Sequence, residues 1–209
     1  MLLDLIRLRS KYDLDIRGVY HIGAHFGQEN TVYTEMGIVN RVFFEPLPVT
    51  YKKLLANVGS GGGVTCVNTS LGNRIGVIDM FVETANQGQS SSILEPDIHI
   101  KQYPHITFNE KVTVNITTLD KYLLGSDING GDYNFINIDV QGYELEVFKG
   151  AESTLEHIDY VMTEVNRENV YKGCPMVSEL DGYLSSYGFS RVETTWDGGT
   201  WGDALYVKR

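Results

Sequence analysis

Positive charge is scarce in this chain of 209 residues. Lysine and arginine number 17 against 27 aspartates and glutamates, so the formal net charge is −10 at pH 7. A chain with this balance lacks the basic face that non-specific binding to nucleic acid or to an anionic membrane requires. We therefore expect neither of them as a partner, while the oligomeric state stays open.

Cysteines and long apolar runs are also few. Cys66 and Cys174 lie far apart and form no CxxC pattern, which favours free thiols in a reducing compartment over disulfides or a zinc site. No stretch approaches the roughly 20 apolar residues of a membrane span. Charged residues interrupt the apolar N-terminus, which argues against a signal peptide, and we expect a cytoplasmic protein without membrane insertion.

The order of the apolar segments predicts one α/β domain over residues 1–209. An amphipathic N-terminal helix is expected at 2–12, within the segment 1–15, and further helices at 28–36, 48–58, 143–155 and 176–187. Strands are expected at 19–22, 42–44, 64–68, 134–139 and 160–165, and a terminal antiparallel pair at 189–194 and 204–208. Residues 72–116 are interpreted as an inserted meander, in which 83–110 form a mobile excursion over the active site.

A glycine turn between the first strand and the first helix predicts a ligand site. The chain has no lysine or arginine from Val19 to Asn40, and Glu29 occupies the expected first turn of the helix. A pyrophosphate would meet this carboxylate without a counter-ion, and the spacing Gly23-x-x-x-Gly27 differs from the dinucleotide pattern. The pattern therefore favours S-adenosylmethionine, with Glu45 as acceptor for the ribose hydroxyls. A purely structural turn is the alternative.

Several motifs resemble the FkbM family of methyltransferases. They are His21-Ile22-Gly23-Ala24-His25-x-Gly27-Gln28-Glu29, Phe44-Glu45-Pro46, Thr118-Leu119-Asp120, Ile138-Asp139-Val140-Gln141-Gly142-Tyr143-Glu144, Lys149-Gly150-Ala151 and Thr163-Glu164-Val165. The resemblance implies a Rossmann-like class I methyltransferase fold, with a seven-stranded mostly parallel sheet, a C-terminal antiparallel hairpin and helices on both faces. It also implies S-adenosylmethionine as methyl donor and O-methylation of a hydroxyl, often on a sugar or natural product. The alternatives are a nucleotide-cofactor oxidoreductase and a non-catalytic ligand-binding protein with the same fold.

The resemblance also implies a set of donor-site residues. They are His21, Gly23, Ala24, His25, Gly27, Glu29, Glu45, Pro46, Asn68, Ser70, Leu71, Asp139 and Gln141. His21 stands where many class I methyltransferases have an acidic residue. It is either a ligand contact or a hydrogen-bonded core histidine.

Asp139 and Glu164 are the candidate catalytic residues. Both lie near the carboxyl ends of predicted neighbouring strands, where ligands bind in open α/β sheets. Either carboxylate could accept the hydroxyl proton or orient the acceptor. A divalent metal held by the pair is possible but not expected. The structural alternatives are a helix cap for Asp139 and an ion pair with Arg167 for Glu164.

Candidate acceptor contacts come from loops and motif positions. They are Ser91, Ser92, Tyr143, Asn166 and Tyr171. Three more aromatic side chains could lie against a sugar ring, namely Tyr103, His105 and Trp196.

Overall fold

Strands and helices alternate along the chain in the computed structural model, which describes residues 2–209. The strands are β1 (Gly18–Ile22), β2 (Asn40–Phe44), β3 (Val64–Val67), β4 (Ser70–Leu71), β5 (Gly76–Val82), β6 (Glu110–Thr117), β7 (Phe135–Ile138), β8 (Tyr160–Asn166), β9 (Phe189–Asp197) and β10 (Trp201–Lys208). The helices are α1 (Leu5–Tyr12), α2 (Asn30–Glu35), α3 (Pro48–Val58), α4 (Ile98–Gln102), α5 (Leu119–Leu124), α6 (Glu144–Lys149), α7 (Glu152–Leu155) and α8 (Val177–Ser185).

The central sheet has seven strands in the order β3-β2-β1-β7-β8-β10-β9. β10 runs in the opposite direction to the other six strands, so its pairings with β8 and β9 are antiparallel and all the others are parallel. This arrangement confirms the predicted fold class. All five residues of β1 are buried, as expected for a parallel strand covered on both faces. The strand order reverses between β1 and β7, so a crevice opens at the carboxyl ends of these two strands.

A second sheet of three strands, in the order β4-β6-β5, contains the strands of the predicted meander. The excursion between β5 and β6 is held by local contacts. Phe81 pairs with Ser92, and the carboxylate of Glu83 accepts hydrogen bonds from the backbone N–H groups of Asn86 and Gly88. Helix α4 lies within the same segment. The mobility of the excursion stays a prediction.

The prediction of one continuous helix over residues 143–155 is wrong. The structure divides it into α6 and α7, which are separated at Gly150. A Cβ on Gly150 would lie 1.9 Å from the carbonyl oxygen of Gly72. The chain that leads out of β4 therefore passes directly against the backbone at this glycine. The helical periodicity of the sequence does not predict this tertiary contact.

Two apolar layers enclose the central sheet. One layer packs Tyr20 and Ile22 of β1 against Phe148 of α6 and Leu180 of α8. The other contains Leu5 and Leu8 of α1 together with Tyr33 of α2 and Leu54 of α3. None of the helices within residues 2–209 is long and apolar enough to cross a membrane.

Candidate active site

The turn after β1 brings three strand ends together. The N–H groups of Gly23 and Ala24 both donate to the carbonyl oxygen of Phe44 at the end of β2, at 3.0 and 2.9 Å. Gly23 has φ +79°, and a Cβ there would lie 1.9 Å from the carbonyl oxygen of Asp139. Only glycine permits this close approach of β1 and the chain that follows β7.

Glu45 ties the turn to the end of β2. Its carboxylate is buried and accepts hydrogen bonds from the backbone N–H groups of His25 and Leu47, at 3.0 and 2.9 Å. Burial raises the pKa of Glu45 to about 7, although the two backbone donors oppose that rise. Asn68 donates to the carbonyl oxygens of Glu45 and Pro46, both at 2.9 Å, so its amide shapes this loop.

A first cleft opens between the β1 turn and the second sheet. It encloses about 590 Å³, part of which is open to solvent. Its walls are mostly apolar, and polar groups enter at the strand ends. The lining residues are Ile22, Gly23, His25, Phe44, Glu45, Pro46, Leu47, Thr69, Ser70, Leu71, Met80, Gly88, Gln89, Ser91, Ile93, Asp139, Val140 and Gln141.

A second, larger cleft shares Gly23, His25, Gln89, Asp139 and Gln141 with the first. Its remaining walls carry carboxylates, imidazoles and aromatic rings. They are Leu2, His21, Ala24, Gln28, Glu29, Asn86, Ser90, His99, Tyr103, His105, Ile106, Glu164, Val170, Asp197 and Trp201. Among the residues that the structure describes, no lysine or arginine lines either cleft.

Gln141 joins the two candidate catalytic carboxylates. Its side-chain amide donates to Asp139 Oδ1 at 2.7 Å and to Glu164 Oε2 at 2.8 Å. Its own Oε1 lies 2.7 Å from the hydroxyl of Tyr171, which also lies 2.9 Å from the carbonyl oxygen of Ser90. The backbone of Gln141 has φ +56°, so this side chain is held in place by a strained turn.

Glu164 lies in an unusually acidic environment. Burial raises the pKa of its carboxyl well above the usual range. Three neighbouring carboxylates add to this rise, namely Asp139, Glu144 and Asp203. Asp203 stands directly opposite Glu164 in the β8–β10 pair, and burial raises its pKa to about 6. The backbone N–H groups of Leu2 and Leu3 donate to Asp203.

The two structural alternatives for these carboxylates are wrong. The residue that binds the backbone before α6 is Glu144, whose Oε1 accepts from the N–H groups of Val140 and Gly142 at 3.1 Å each. Asp139 therefore does not cap that helix. Arg167 stacks on the ring of Trp196, 3.6 Å from its centroid, rather than pairing with Glu164. Glu144 is fully buried rather than solvated, and burial raises its pKa to about 7.

His21 is both a hydrogen-bonded core residue and part of the second cleft's wall. Asn137 donates to the Tyr33 hydroxyl at 2.5 Å, so this hydroxyl can donate to His21 Nδ1 at 3.1 Å. Nε2 then carries the proton and lies 3.9 Å from a carboxylate oxygen of Glu29. Burial lowers the pKa of His21, which favours the neutral ring.

Most of the predicted site residues line the clefts, but six do not. They are Gly27, Asn68, Ser92, Tyr143, Asn166 and Tyr171. Gly27 packs on α3, since a Cβ there would lie 2.4 Å from Val58, and Tyr143 packs against Gly72. Buried Asn166 donates weakly to Glu164 at 3.5 Å. Ser92 and Tyr171 instead bind the Gln141 segment, Ser92 through its hydroxyl and the Gln141 carbonyl oxygen at 2.7 Å.

Sequence reasoning missed several lining residues, and it named the wrong tryptophan. The missed residues are Thr69, Met80, Ile93, His99, Asp197 and Trp201. Trp201 lines the second cleft and donates from its indole to the Tyr103 hydroxyl at 3.0 Å, whereas Trp196 does not line it. The alternation along β5 could have revealed Met80, but nothing local distinguishes the two tryptophans. Within residues 2–209, no group of three or more His, Cys, Asp or Glu is placed to hold a metal ion.

Comparison with known proteins identifies relatives of the chain. The family described as "Methyltransferase FkbM domain" matches residues 21–191. The 2-O-methyltransferase NoeI of Sinorhizobium fredii is 25% identical over 170 residues, which are 78% of this chain and 69% of that protein.

Solved structures share the fold at low identity. TrmK of M. capricolum, solved with S-adenosyl-homocysteine, is 10% identical with a TM-score of 0.54, and the match covers 100% of this chain and 70% of that one. Magnesium protoporphyrin IX methyltransferase of Synechocystis PCC 6803, also with bound SAH, is 8% identical with a TM-score of 0.53, over 98% and 80% of the two chains. These identities establish a common fold and nothing more specific.

Proposed function

The chain belongs to the FkbM family of methyltransferases, and from this premise we propose that it methylates a hydroxyl group of a saccharide. It is a methyltransferase that uses S-adenosylmethionine, which excludes the oxidoreductase alternative for its main activity. The identity of the acceptor is the part that needs support from the site.

The residues of the two clefts fit the donor. In the first cleft, Leu71, Met80 and Val140 offer apolar walls for an adenine ring, and Glu45 can accept hydrogen bonds from ribose hydroxyls. The junction with the second cleft presents the carboxylate of Asp139, and no described lysine or arginine lines either cleft. This charge distribution suits a cation and opposes a pyrophosphate. When bound, S-adenosylmethionine supplies an electrophilic methyl group on a positively charged sulfur.

We assign the acceptor to the second cleft. Tyr103 and Trp201 present aromatic rings there, and both can lie against the apolar face of a sugar ring. The carboxylate oxygen Oδ2 of Asp139 accepts no hydrogen bond from the described residues, so it is available to orient an acceptor hydroxyl. Glu164 then serves mainly to hold Gln141 against Asp139.

The relatives support a hydroxyl acceptor and a small one. NoeI is named a 2-O-methyltransferase, which suggests a sugar 2-hydroxyl here as well. Some proteins of similar fold are tRNA methyltransferases, but their identity of 11% to 13% carries no substrate information. The net charge of −10 favours an uncharged saccharide over RNA.

We propose that residues 84–96 form the cover over both ligands. His25 Nε2 lies 2.9 Å from the carbonyl oxygen of Gln87, and Gln28 donates to His25 Nδ1 at 2.8 Å. Ser90 is held from the other side by Tyr171. These contacts connect the cover to the turn after β1 and to the chain after β8, so its closure would exclude water from the reacting groups.

A single assay tests the assignment of donor and acceptor. The protein is incubated with methyl-labelled S-adenosylmethionine and a panel of methyl glycosides, each paired with its 2-deoxy analogue. We expect label on at least one glycoside and none on its 2-deoxy partner. Label on both members of every pair would exclude the 2-hydroxyl, and donor binding without transfer to any glycoside would favour a different acceptor or a non-catalytic role.

A further inference from the structure

His99 is a buried histidine on the wall of the second cleft that neither the motifs nor the family match single out. It is 4% exposed. Its Nδ1 is buried and has no hydrogen-bond partner, and no described residue bonds to its Nε2. A buried polar atom without a partner costs about 1–3 kcal/mol, so an unpaired imidazole beside a ligand cleft calls for an explanation.

Packing fixes the His99 ring while leaving its nitrogens unpaired. Three aromatic rings surround it, with centroids 5.1 Å away for Tyr103, 5.3 Å for Phe108 and 5.5 Å for Tyr171. The backbone N–H of His99 donates to the carbonyl oxygen of Val170 at 3.2 Å. Helix α4 is thereby anchored to the chain that follows β8, and the ring cannot easily turn away from the cleft.

The position of His99 complements that of the carboxylates. Tyr171 contacts the imidazole and also bonds through its hydroxyl to Gln141, which in turn holds Asp139 and Glu164. The imidazole and the carboxylate pair therefore line one cleft and are linked through a single tyrosine. Burial and neighbouring carboxylates raise the pKa of Glu164 and favour its protonated form, which makes it a poor proton acceptor.

We propose that His99 is the general base that removes the proton from the acceptor hydroxyl. This inference rests on the proposed O-methylation. The acceptor O–H bond breaks, its electron pair stays on oxygen to form the new O–C bond, and the proton joins Nε2 of His99, because Nδ1 is buried away from the cleft. The pair of the broken C–S bond remains on sulfur as a neutral thioether. The imidazolium then releases its proton to solvent, so that charge and atoms balance.

The electrostatic environment keeps the imidazole in the neutral form that a general base needs. Burial lowers the pKa of His99, which favours the neutral ring at pH 7. The charge of Glu83 opposes that shift and the charge of His105 adds to it. The hydroxyl groups of Tyr103 and Tyr171 are the other titratable neighbours of the ring.

The test compares three variants on the best methyl glycoside of the panel described above. For His99→Asn we expect kcat to fall about 10²- to 10⁴-fold, with the donor Kd from calorimetry and the acceptor KM within about threefold of wild type. Wild type should show an acidic limb that lies below the ordinary imidazole pKa of about 6.5, because the pKa of His99 is lowered, and His99→Asn should lack that limb. Added imidazole should restore rate to His99→Ala. His157→Asn, at an exposed histidine outside both clefts, should behave as wild type.

Three results would count against the proposal. Full activity of His99→Asn would remove the base role outright. A slow His99→Asn that keeps the acidic limb, together with no rescue of His99→Ala by imidazole, would reduce His99 to a packing residue. Unimpaired donor binding with no wild-type transfer to any glycoside would overturn the proposed acceptor class, and this inference with it.

Discussion

The two clefts meet at Asp139 but are built from different kinds of backbone. The first is formed mainly by the ends of β1, β2 and β4 and by the strand β5. The second takes His99 from a five-residue helix, Tyr103 and His105 from the segment after it, and Trp201 from the terminal hairpin. Strand ends are fixed by the sheet, whereas these other segments can vary without disturbing the core. This difference supports our proposal that the donor binds in the first cleft and the acceptor in the second.

Among the substitutions that compare the two clefts, removing the shared carboxylate should have the largest effect, because it belongs to both of them. In Asp139→Asn the negative charge near the sulfonium and the acceptor hydroxyl is lost, and we expect kcat to fall about 10²- to 10³-fold. Steady-state assays with the methyl glycoside measure this. Asp132 is exposed and lies just before β7, at the opposite end of that strand, so Asp132→Asn is the matched control. Equal activity of the two variants would refute the role of Asp139.

The next largest effect is expected for Glu45→Gln, which should weaken donor binding without affecting the acceptor. Glu45→Gln keeps the size of the side chain but removes the charged acceptor for ribose hydroxyls, so the donor Kd should rise about 10- to 30-fold. At saturating donor, kcat and the acceptor KM should stay near wild type. Calorimetry and kinetics check the two parts. A rise in acceptor KM alone would mean that the first cleft has been assigned to the wrong ligand.

Substitution of the tryptophans in the terminal hairpin should affect acceptor binding and leave donor binding intact. Trp201→Ala removes an aromatic wall of the second cleft, and we expect the acceptor KM to rise about tenfold while the donor Kd changes less than about twofold. Trp196→Ala is the matched control, since its ring lies under Arg167 and lines neither cleft. If both variants raised KM equally, the effect would be one of hairpin stability rather than of acceptor contact.

The smallest effect concerns the pH dependence of the first cleft. The folded-state pKa of Glu45 is about 7 against 4.5 in the unfolded chain, so its contribution to stability is present below pH 4.5 and is lost as the pH rises through 7. This loss amounts to about 3 kcal/mol at most. The ligand-free protein should therefore unfold more readily in denaturant at pH 7.5 than at pH 5, and less steeply so in Glu45→Gln. A pH dependence unchanged in Glu45→Gln would mean that other buried carboxyls account for it.

Donor binding should also depend on the protonation of Glu45. Ribose hydroxyls that donate to Glu45 favour its charged form, so binding should release protons between pH 5 and 7 and tighten by about three- to tenfold across that range. Calorimetry in buffers of different ionisation enthalpy measures the protons released. Absence of release in wild type would place the ribose away from Glu45.

The difference between the clefts also explains what the sequence could predict. The glycine turn, Glu45 and Asp139 were predictable because each lies at a strand end within a short motif, and the sheet order then fixes their neighbourhood. Pro48 at the start of α3 and the Thr118 cap of α5 were equally local.

The rest depended on contacts between distant residues. His99 lines the same cleft as Asp139 because the chain after β8 holds α4, and Trp201 rather than Trp196 faces inward because of the strand pleat near the hairpin turn. Asn68 was expected among the donor-site residues, yet its amide bonds to two carbonyl oxygens of the neighbouring loop. Glu144 reads as a solvated helix residue, and only the fold shows its burial. Periodicity in the sequence cannot predict contacts between residues so far apart along the chain.

Glu164 and Asp203, which lie opposite each other on β8 and β10, have a consequence for attempts to raise the thermal stability of this protein. Two buried carboxyls face each other across this β ladder, and each disfavours the charged form of the other. A procedure that ranks substitutions by thermal tolerance would select these two positions, because a neutral side chain of the same shape that still accepts hydrogen bonds removes the cost of burying the charge. Asp203 could be neutralised while Glu164 keeps its bond to Gln141. Neutralising Glu164 instead would stabilise the fold but disturb the active site. Asp203 is therefore the better position for a stabilising substitution.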